Sequence, residues 1–325
     1  MSQTNSAWPR RAALAAGIVA LLAVLLAGVI AFGTAAPPAH FMTPRQLDRS
    51  GLPPLNHYLA RDGVALAYRV YPAIGDEAVI LVHGSGTESS VMNAAAKALH
   101  ADGVAVYAPD LRGHGASGRR GDIDYIGQLD DDIADLATLA HREHPQAKLT
   151  LIGFSGGGAL TIRIAGGKYG AIFDRYIVID PAIVYPSPIA KPNAGGWATP
   201  FVPRIVGLTI LNALGIHTFD YLTAIVFAIP PNRPNMTRSY SFRLAMNLNS
   251  AGYFRALERT EKPMALIAGA ADDQFYAEKY APAFKPAKPD LTVRLVPGMD
   301  HVDMITKPAA LTALRETFDT LRRAP

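Results

Sequence analysis

The chain has 325 residues, half of them hydrophobic and 18% charged, which excludes disorder over most of its length. It contains no cysteine, so disulfides, a cysteine nucleophile and thiolate-bound metal sites are excluded. Its 31 Lys and Arg are spread among 27 Asp and Glu without a basic run, and we therefore expect no nucleic-acid partner. This length suits one large α/β domain that carries an insertion.

The N-terminus contains an uncharged, strongly apolar run at residues 12–33, directly after Arg10 and Arg11. A helix of this length spans about 33 Å, enough to cross the hydrocarbon core of a bilayer. We interpret residues 1–11 as a short tail and 12–33 as a transmembrane signal anchor. The basic flank predicts the N-terminus inside and the rest of the chain on the outer (periplasmic or extracellular) side. The alternative is export after signal cleavage, which the small residues at 34–36 would permit.

After this run we expect a Pro-rich linker at 34–55 and a single domain at 56–325, in which strand and helix patterns alternate. The pattern predicts a hairpin at 57–72, apolar strands at 78–84, 104–110, 149–155, 175–180, 264–269 and 291–297, and helices at 92–103, 126–143 and 308–322. Buried strands that alternate with helices predict a mainly parallel sheet covered on both faces. Functional residues in such sheets lie at the C-terminal ends of the strands.

The most informative motif is Gly-Phe-Ser-Gly-Gly at 153–157, the only G-x-S-x-G match in the chain. It follows an apolar strand and precedes a helix, which is the context of a nucleophile elbow. In such an elbow a strained turn holds the serine above the sheet, and its neighbours two residues away must lack bulk. The N-terminus of the following helix favours negative charge at this point. Ser155 is therefore the candidate nucleophile.

A serine nucleophile needs a general base and a third group that orients the base. His301 is the candidate base because, of the nine histidines, it alone follows both the nucleophile and a late strand. The acid is expected directly after the strand at 264–269, where Asp272 and Asp273 both qualify by spacing. One of them is expected to orient His301, and the other to cap the helix that begins near Phe275.

An oxyanion hole needs two backbone donors. We expect them to be the N–H of Gly156, directly after the nucleophile, and the N–H of Ser85, in the loop after the first central strand. His83 in the same loop is interpreted as a structural residue. The chemistry expected of these groups needs neither a cofactor nor a metal.

Four segments resemble the α/β-hydrolase superfamily, and within it the monoacylglycerol lipase, lysophospholipase and serine aminopeptidase group. They are LVHGSG at 81–86, APDLRGHGASG at 108–118, IGFSGGG at 152–158, and the pair GAADD at 269–273 with PGMDH at 297–301. The resemblance extends from His57 to the C-terminus and implies an α/β-hydrolase fold with an inserted cap. It implies Asp272 as the acid, because the family's acid usually lies three residues after the strand-end glycine. It also implies that Asp110, Arg112 and His114 shape the site and do not react.

The same resemblance implies a cap over the site, which we assign to about residues 181–261. This insertion begins rich in Pro and Gly and becomes very apolar over 204–231. His217 and Asp220 interrupt the apolar run, which argues against a second membrane span. We interpret the insertion either as a pair of cap helices packed on the core or as a lid. The apolar face of such a lid would admit lipid or touch the membrane.

Together these features predict a membrane-anchored serine hydrolase with a Ser-His-Asp triad and an acyl-enzyme intermediate. Its expected partner is a hydrophobic carboxylic ester or lipid. Three alternatives stay open: a peptidase, which should need carboxylates in the cap to hold a free amine; an acyltransferase with the same triad; and a catalytically inactive, tethered binding protein.

Overall fold

The computed structural model describes residues 8–32, 47–183, 187–248 and 252–323. The strands in these ranges are β1 (Asn56–Leu59), β2 (Ala65–Tyr71), β3 (Glu77–Val82), β4 (Ala105–Pro109), β5 (Lys148–Phe154), β6 (Arg175–Ile179), β7 (Ala198–Pro200), β8 (Thr223–Phe227), β9 (Ser239–Ser241), β10 (Met264–Gly269) and β11 (Thr292–Val296). The α-helices are α1 (Trp8–Ala31), α2 (Asn93–His100), α3 (Gln128–Glu143), α4 (Gly156–Ala165), α5 (Val202–Ala213), α6 (Phe242–Asn247), α7 (Tyr253–Arg259), α8 (Tyr280–Phe284) and α9 (Pro308–Arg322).

The main sheet has eight strands in the order β1-β2-β4-β3-β5-β6-β10-β11. β1 and β2 form the predicted hairpin, and β2 pairs antiparallel with β4. All pairs from β4 to β11 are parallel. The predicted α/β-hydrolase fold with a mainly parallel sheet is therefore confirmed.

Helices cover both faces of this sheet, and β3 is buried along its whole length. Its alternate side chains enter different cores, as the two-residue period of a strand requires. Ile80 and Val82 join the core under α3 and α4, whereas Val79 and Leu81 join the core under α2 and α9. The candidate site lies between these layers, at the C-terminal ends of the strands.

The cap contains a small sheet that the sequence did not predict. β7, β8 and β9 form an antiparallel sheet, and α5 and α6 contact it. The interpretation of the insertion as a pair of helices was therefore wrong. The run that forms β8 is apolar and β-branched, and apolar composition alone does not separate a short buried strand from a helix segment.

The N-terminal helix α1 packs against the cap. Its segment Arg11–Ala31 is the one helix in the described ranges that is long and apolar enough to cross a membrane, a property that a signal sequence shares. Gly207 of α5 faces α1, and a Cβ there would lie 2.8 Å from Ile30 Cγ1. Residue 33 of the predicted anchor and most of the predicted linker lie outside the described residues.

Candidate active site

Ser155 occupies a strained turn between β5 and α4. Its backbone has φ 52° and ψ −117°, a conformation that a residue with a side chain adopts only when its surroundings hold it there. Those surroundings include β6, since Ser155 N donates to the carbonyl of Ile179 at 2.9 Å. The Ser155 carbonyl in turn accepts from Ala182 N at 2.9 Å. The turn projects the side chain above the C-terminal edge of the sheet.

The two outer glycines of the motif are required by sterics. A Cβ on Gly153 would lie 2.2 Å from the carbonyl oxygen of Gly157. A Cβ on Gly157 would lie 2.5 Å from the carbonyl oxygen of His83. Both contacts are with backbone, which cannot move aside without unfolding the turn. The structure thus accounts for the pattern on which the sequence argument depended.

Asp272 and His301 come together from the ends of neighbouring strands, β10 and β11. Asp272 Oδ2 lies 2.8 Å from His301 Nδ1, and both side chains are buried. Asp272 Oδ1 accepts from the backbone N–H groups of Gln274 and Phe275 at 2.7 and 2.9 Å. Burial by itself would raise the pKa of Asp272, but the facing His301 and these two donors lower it below its ordinary value. An ionised Asp272 requires the proton on His301 Nδ1, which leaves Nε2 as an acceptor.

Asp273 does not contact the imidazole ring. Its Oδ1 accepts from the backbone N–H of His301 at 3.4 Å. The prediction that the second aspartate caps a helix near Phe275 was wrong, because Asp272 itself accepts the N–H of that residue. The next helical turn begins only at Ala277.

His301 and Ser155 line the same cavity. His301 Nε2 is buried and has no hydrogen-bond partner in the described part of the chain, Ser155 included. The rings of Phe154 and Phe275 pack on the imidazole at 4.8 and 5.4 Å between centroids. The imidazole is therefore held in place with its free nitrogen unpaired, and catalytic hydrogen bonds of this kind often tighten only when substrate binds.

The backbone N–H groups predicted to form an oxyanion hole belong to adjoining residues. A Cβ on Gly156 would lie 2.2 Å from Ser85 Oγ and 3.1 Å from Ser85 N. Neither N–H donates to another residue in the described ranges. Two free donors beside a serine at a helix N-terminus are suited to binding an oxyanion.

The loop that carries Ser85 is braced by neutral His83. Its Nε2 accepts from Leu111 N at 3.1 Å, so Nδ1 carries the proton and donates to the Gly84 carbonyl at 2.8 Å. Burial lowers the pKa of His83, which keeps the ring neutral. These contacts agree with the structural interpretation of His83.

A cap residue, Tyr240, completes this bracing. Its hydroxyl accepts from Gly86 N at 2.7 Å and donates to His114 Nε2 at 2.5 Å. Burial lowers the pKa of His114 well below its ordinary value, which keeps it an acceptor. Asp110 accepts from Ser89 N, Arg112 donates to Asp132 in α3, and His114 Nδ1 contacts the carbonyl of Arg112; all three bonds are buried, as expected of residues that shape a site. Sequence reasoning missed Tyr240, since nothing in the three residues of β9 marks one as a partner of a distant loop.

The cavity above these groups has a volume of about 380 Å³. Its walls are mostly apolar and come from both the core and the cap; they include Val91, Phe154, Trp197, Ile229, Met236 and Ile305. Such a cavity is large enough for a small ligand and favours an apolar one.

A third buried carboxyl group, Asp180, lies beside the Asp272–His301 pair. Polar atoms of the three residues lie within 4.8 Å of one another. Sequence reasoning missed Asp180, although an aspartate that ends the apolar run RYIVID was a usable signal.

Comparison with known proteins bears on the same region. A family model described as "Serine aminopeptidase, S33" matches residues 75–305. A monoacylglycerol lipase of Mycolicibacterium smegmatis is 28% identical over 149 residues, which are 43% of this chain and 53% of that protein. The chain therefore matches about half the length of this curated relative.

Solved structures share the fold. A monoacylglycerol lipase of Paleococcus ferrophilus has a TM-score of 0.61 at 21% identity and covers 79% of this chain and 98% of its own. A soluble variant of the monoglyceride lipase of Saccharomyces cerevisiae has a TM-score of 0.64 at 17% identity, with 87% and 98% covered. At such identities the likeness establishes the fold alone. Because the family model spans more than half of its residues, the chain belongs to the serine aminopeptidase S33 family of α/β-hydrolases.

Proposed function

We propose that the protein is a membrane-anchored serine hydrolase that cleaves carboxylic esters with a hydrophobic acyl group. The observation that carries this proposal is the 2.8 Å contact between buried Asp272 and His301, which lines the same cavity as Ser155. The monoacylglycerol lipases among its relatives support a lipid ester as substrate.

In the proposed mechanism Ser155 attacks the ester carbonyl while His301 Nε2 accepts its proton. Asp272 holds the imidazole in the required tautomer and stabilises the imidazolium. The N–H groups of Ser85 and Gly156 bind the oxyanion of the tetrahedral intermediate. His301 then protonates the leaving alcohol and activates water, which hydrolyses the acyl-enzyme.

The acids near the cavity argue against the peptidase alternative. Glu88 is the one acidic residue among the described lining residues, and its carboxylate accepts from the backbone and side chain of Ser90. Asp220 in the cap is buried and accepts from Asn212 at 2.7 Å. Glu88 lies outside the cap, and Asp220 is not among the described lining residues, so the described residues provide no cluster of cap carboxylates for the amino group of a peptide.

A second cleft favours lysophospholipids over neutral glycerides as the substrate, and lysophospholipid hydrolysis is therefore a further candidate function. It has a volume of about 230 Å³ and adjoins the cavity, with Arg233 lining both. Arg120 and Arg238 also line it, and no acidic residue does so in the described ranges. Arginines without carboxylate partners are suited to a phosphate. The Arg120→Ala/Arg238→Ala variant changes residues that line the cleft and not the cavity, and it should then raise KM for a lysophosphatidic acid and leave KM for the matching monoacylglycerol unchanged.

We propose that α1 is retained as the anchor, with its N-terminus inside and the hydrolase domain on the outer side. The exposed residues Val202, Val206, Ile210 and Leu214 follow one another at helical spacing along α5, the helix on which α1 packs. A cap that presents this apolar row next to a membrane anchor would touch the bilayer, where lipid esters are found.

The experiment that tests the proposed chemistry is labelling by a fluorophosphonate probe in the membrane fraction, with Ser155→Ala alongside. The probe reacts only where nucleophile, base and oxyanion hole work together. Labelling that depends on Ser155 supports the serine hydrolase. A folded wild type that stays unlabelled would favour a tethered binding protein instead.

A further inference from the structure

Asp180 is held rigidly at the end of β6. Its φ is 42°, which is unusual for a residue other than glycine. Its backbone N–H donates to the carbonyl of Ile267 at 3.0 Å, and its side chain is fully buried. The strained backbone thus directs a carboxyl group into the interior, next to the proposed triad.

The two oxygens of Asp180 have different surroundings. Oδ1 accepts from Gly269 N at 2.9 Å. Oδ2 lies 4.0 Å from His301 Nδ1 and has no hydrogen-bond partner in the described ranges. A buried carboxylate oxygen without a donor is costly, whereas a protonated oxygen can itself donate.

The charges around Asp180 favour its neutral form. Asp272 lies within 4.8 Å, and Asp273 adds a second negative charge. The hydroxyl of Tyr280 donates elsewhere, to the carbonyl of Pro181 at 2.9 Å. Burial and the charge of Asp272 raise the pKa of Asp180 well above its ordinary value, and the N–H of Gly269 opposes this only in part. Two adjacent buried carboxyl groups cannot both ionise, and Asp272 has the better donors.

We propose that Asp180 is a neutral carboxylic acid that donates a hydrogen bond to Asp272 and so positions the Asp272–His301 pair. The inference rests on the proposed function, in which this pair is the acid and base. Asp180 itself touches neither substrate nor the reacting atoms. Its effect is to fix the orientation of the Asp272 carboxylate and to moderate the negative charge that His301 experiences.

Asparagine has the shape and hydrogen-bonding groups of a neutral aspartic acid. In Asp180→Asn the amide oxygen can accept from Gly269 and the NH₂ group can donate to Asp272, so both contacts survive. Asp180→Ala removes both. A comparison of the two variants therefore shows whether Asp180 acts as a neutral hydrogen-bond donor or as an ionised group.

The test is kcat/KM for p-nitrophenyl butyrate against pH, after Ser155-dependent probe labelling of each purified full-length variant. We expect Asp180→Asn to stay within threefold of wild type with the same apparent pKa of His301. We expect Asp180→Ala to lose about tenfold, in the range that outer hydrogen-bond partners contribute, and to show a raised apparent pKa. If the melting curve shows that Asp180→Ala is not folded, Asp180→Ser is used in its place.

If the apparent pKa of His301 is lower in Asp180→Asn than in wild type, the inference is overturned, because the substitution would then have removed a negative charge. Wild-type behaviour of Asp180→Ala would overturn it as well. If the wild type does not react with the probe, the proposed function is contradicted, and the inference about Asp180 is not. NMR of carboxyl-labelled aspartate then decides independently whether Asp180 is protonated at neutral pH.

Discussion

Arg204 in α5 donates from Nε to the carbonyl of Ile30, in the last turn of α1, over 2.8 Å. It also donates from Nη1 to the carbonyl of Thr223 at 2.7 Å, and its side chain is buried. The final carbonyls of a helix lack partners within the helix, and a guanidinium is well suited to bind them. One side chain thus joins the apolar N-terminal helix to the cap, and the cap contributes Trp197 and Ile229 to the wall of the cavity.

The contact between α1 and α5 predicts a specific cross-link. Ile30→Cys/Gly207→Cys should form a disulfide in the membrane-bound protein, because a Cβ at 207 would lie 2.8 Å from Ile30 Cγ1 and the native chain has no competing cysteine. The measurement is non-reducing electrophoresis after proteolysis within residues 33–46, with each single-cysteine variant as control. A mature protein that lacks residue 30 would contradict the retained anchor.

The two aspartates after β10 should differ sharply in their effect on activity. In Asp272→Asn the amide oxygen would accept the N–H groups of Gln274 and Phe275, and the NH₂ group would face His301 Nδ1 and impose the wrong tautomer. We therefore expect kcat to fall about 10⁴-fold, as loss of a triad carboxylate does elsewhere. Asp273→Asn keeps an oxygen for the N–H of His301 and should change kcat by about threefold or less. Steady-state kinetics on a p-nitrophenyl ester, with melting temperatures as the folding control, would compare them. Equal losses in the two variants would contradict the assignment of Asp272.

The sequence was sufficient to predict the parts of this protein whose geometry is set by local rules. The strands β3, β5 and β10 are short apolar runs, and their order with the intervening helices predicted the parallel sheet. The elbow at Ser155 could be predicted because Gly153 meets the backbone of Gly157 within the same turn.

The parts that were missed depend on contacts between distant segments. Asp180 and Asp272 are far apart along the chain, and only the pairing of β6 with β10 brings them together. Tyr240 reaches His114 across the cap boundary. β8 was misinterpreted because its partners, β7 and β9, are three residues each and carry no strand signal of their own.

The contact between Gly156 and Ser85 predicts that the smallest substitution there damages catalysis. In Gly156→Ala the new methyl group would lie 2.2 Å from Ser85 Oγ, which must rotate away, and 3.1 Å from Ser85 N, so that the second N–H donor must shift as well. We expect kcat to fall about 10²-fold, the effect of losing one oxyanion donor, with little change in KM. Gly252→Ala, where a Cβ meets nothing within 4 Å, is the matched control. An unimpaired Gly156→Ala would mean that the oxyanion is bound elsewhere.

The neutral state of His114 predicts a pH-dependent stability. Its pKa in the folded protein lies well below the ordinary 6.5, mainly because burial disfavours the charged ring. Below pH 6.5 the unfolded chain therefore binds a proton that the folded protein does not. The stabilisation that neutral His114 contributes to the folded protein is complete above pH 6.5 and is lost as the pH falls. For one histidine, the free energy of unfolding falls by at most about 1.4 kcal/mol for each pH unit.

This contribution can be isolated by comparing wild type with His114→Gln, which retains an acceptor for Tyr240 but does not titrate. Other groups titrate in the same window, among them Asp132, whose pKa is raised by burial to about 6, and a difference between two proteins removes most of their effect. We expect the advantage of wild type in free energy of unfolding to shrink between pH 7 and pH 5.5 in urea titrations. An advantage that stays constant over that range would mean that His114 titrates normally in the folded protein, and an advantage that grows as the pH falls would mean that His114 is protonated there. The Tyr240–His114 hydrogen bond would then have to carry the opposite polarity, with the cap hydroxyl as the acceptor.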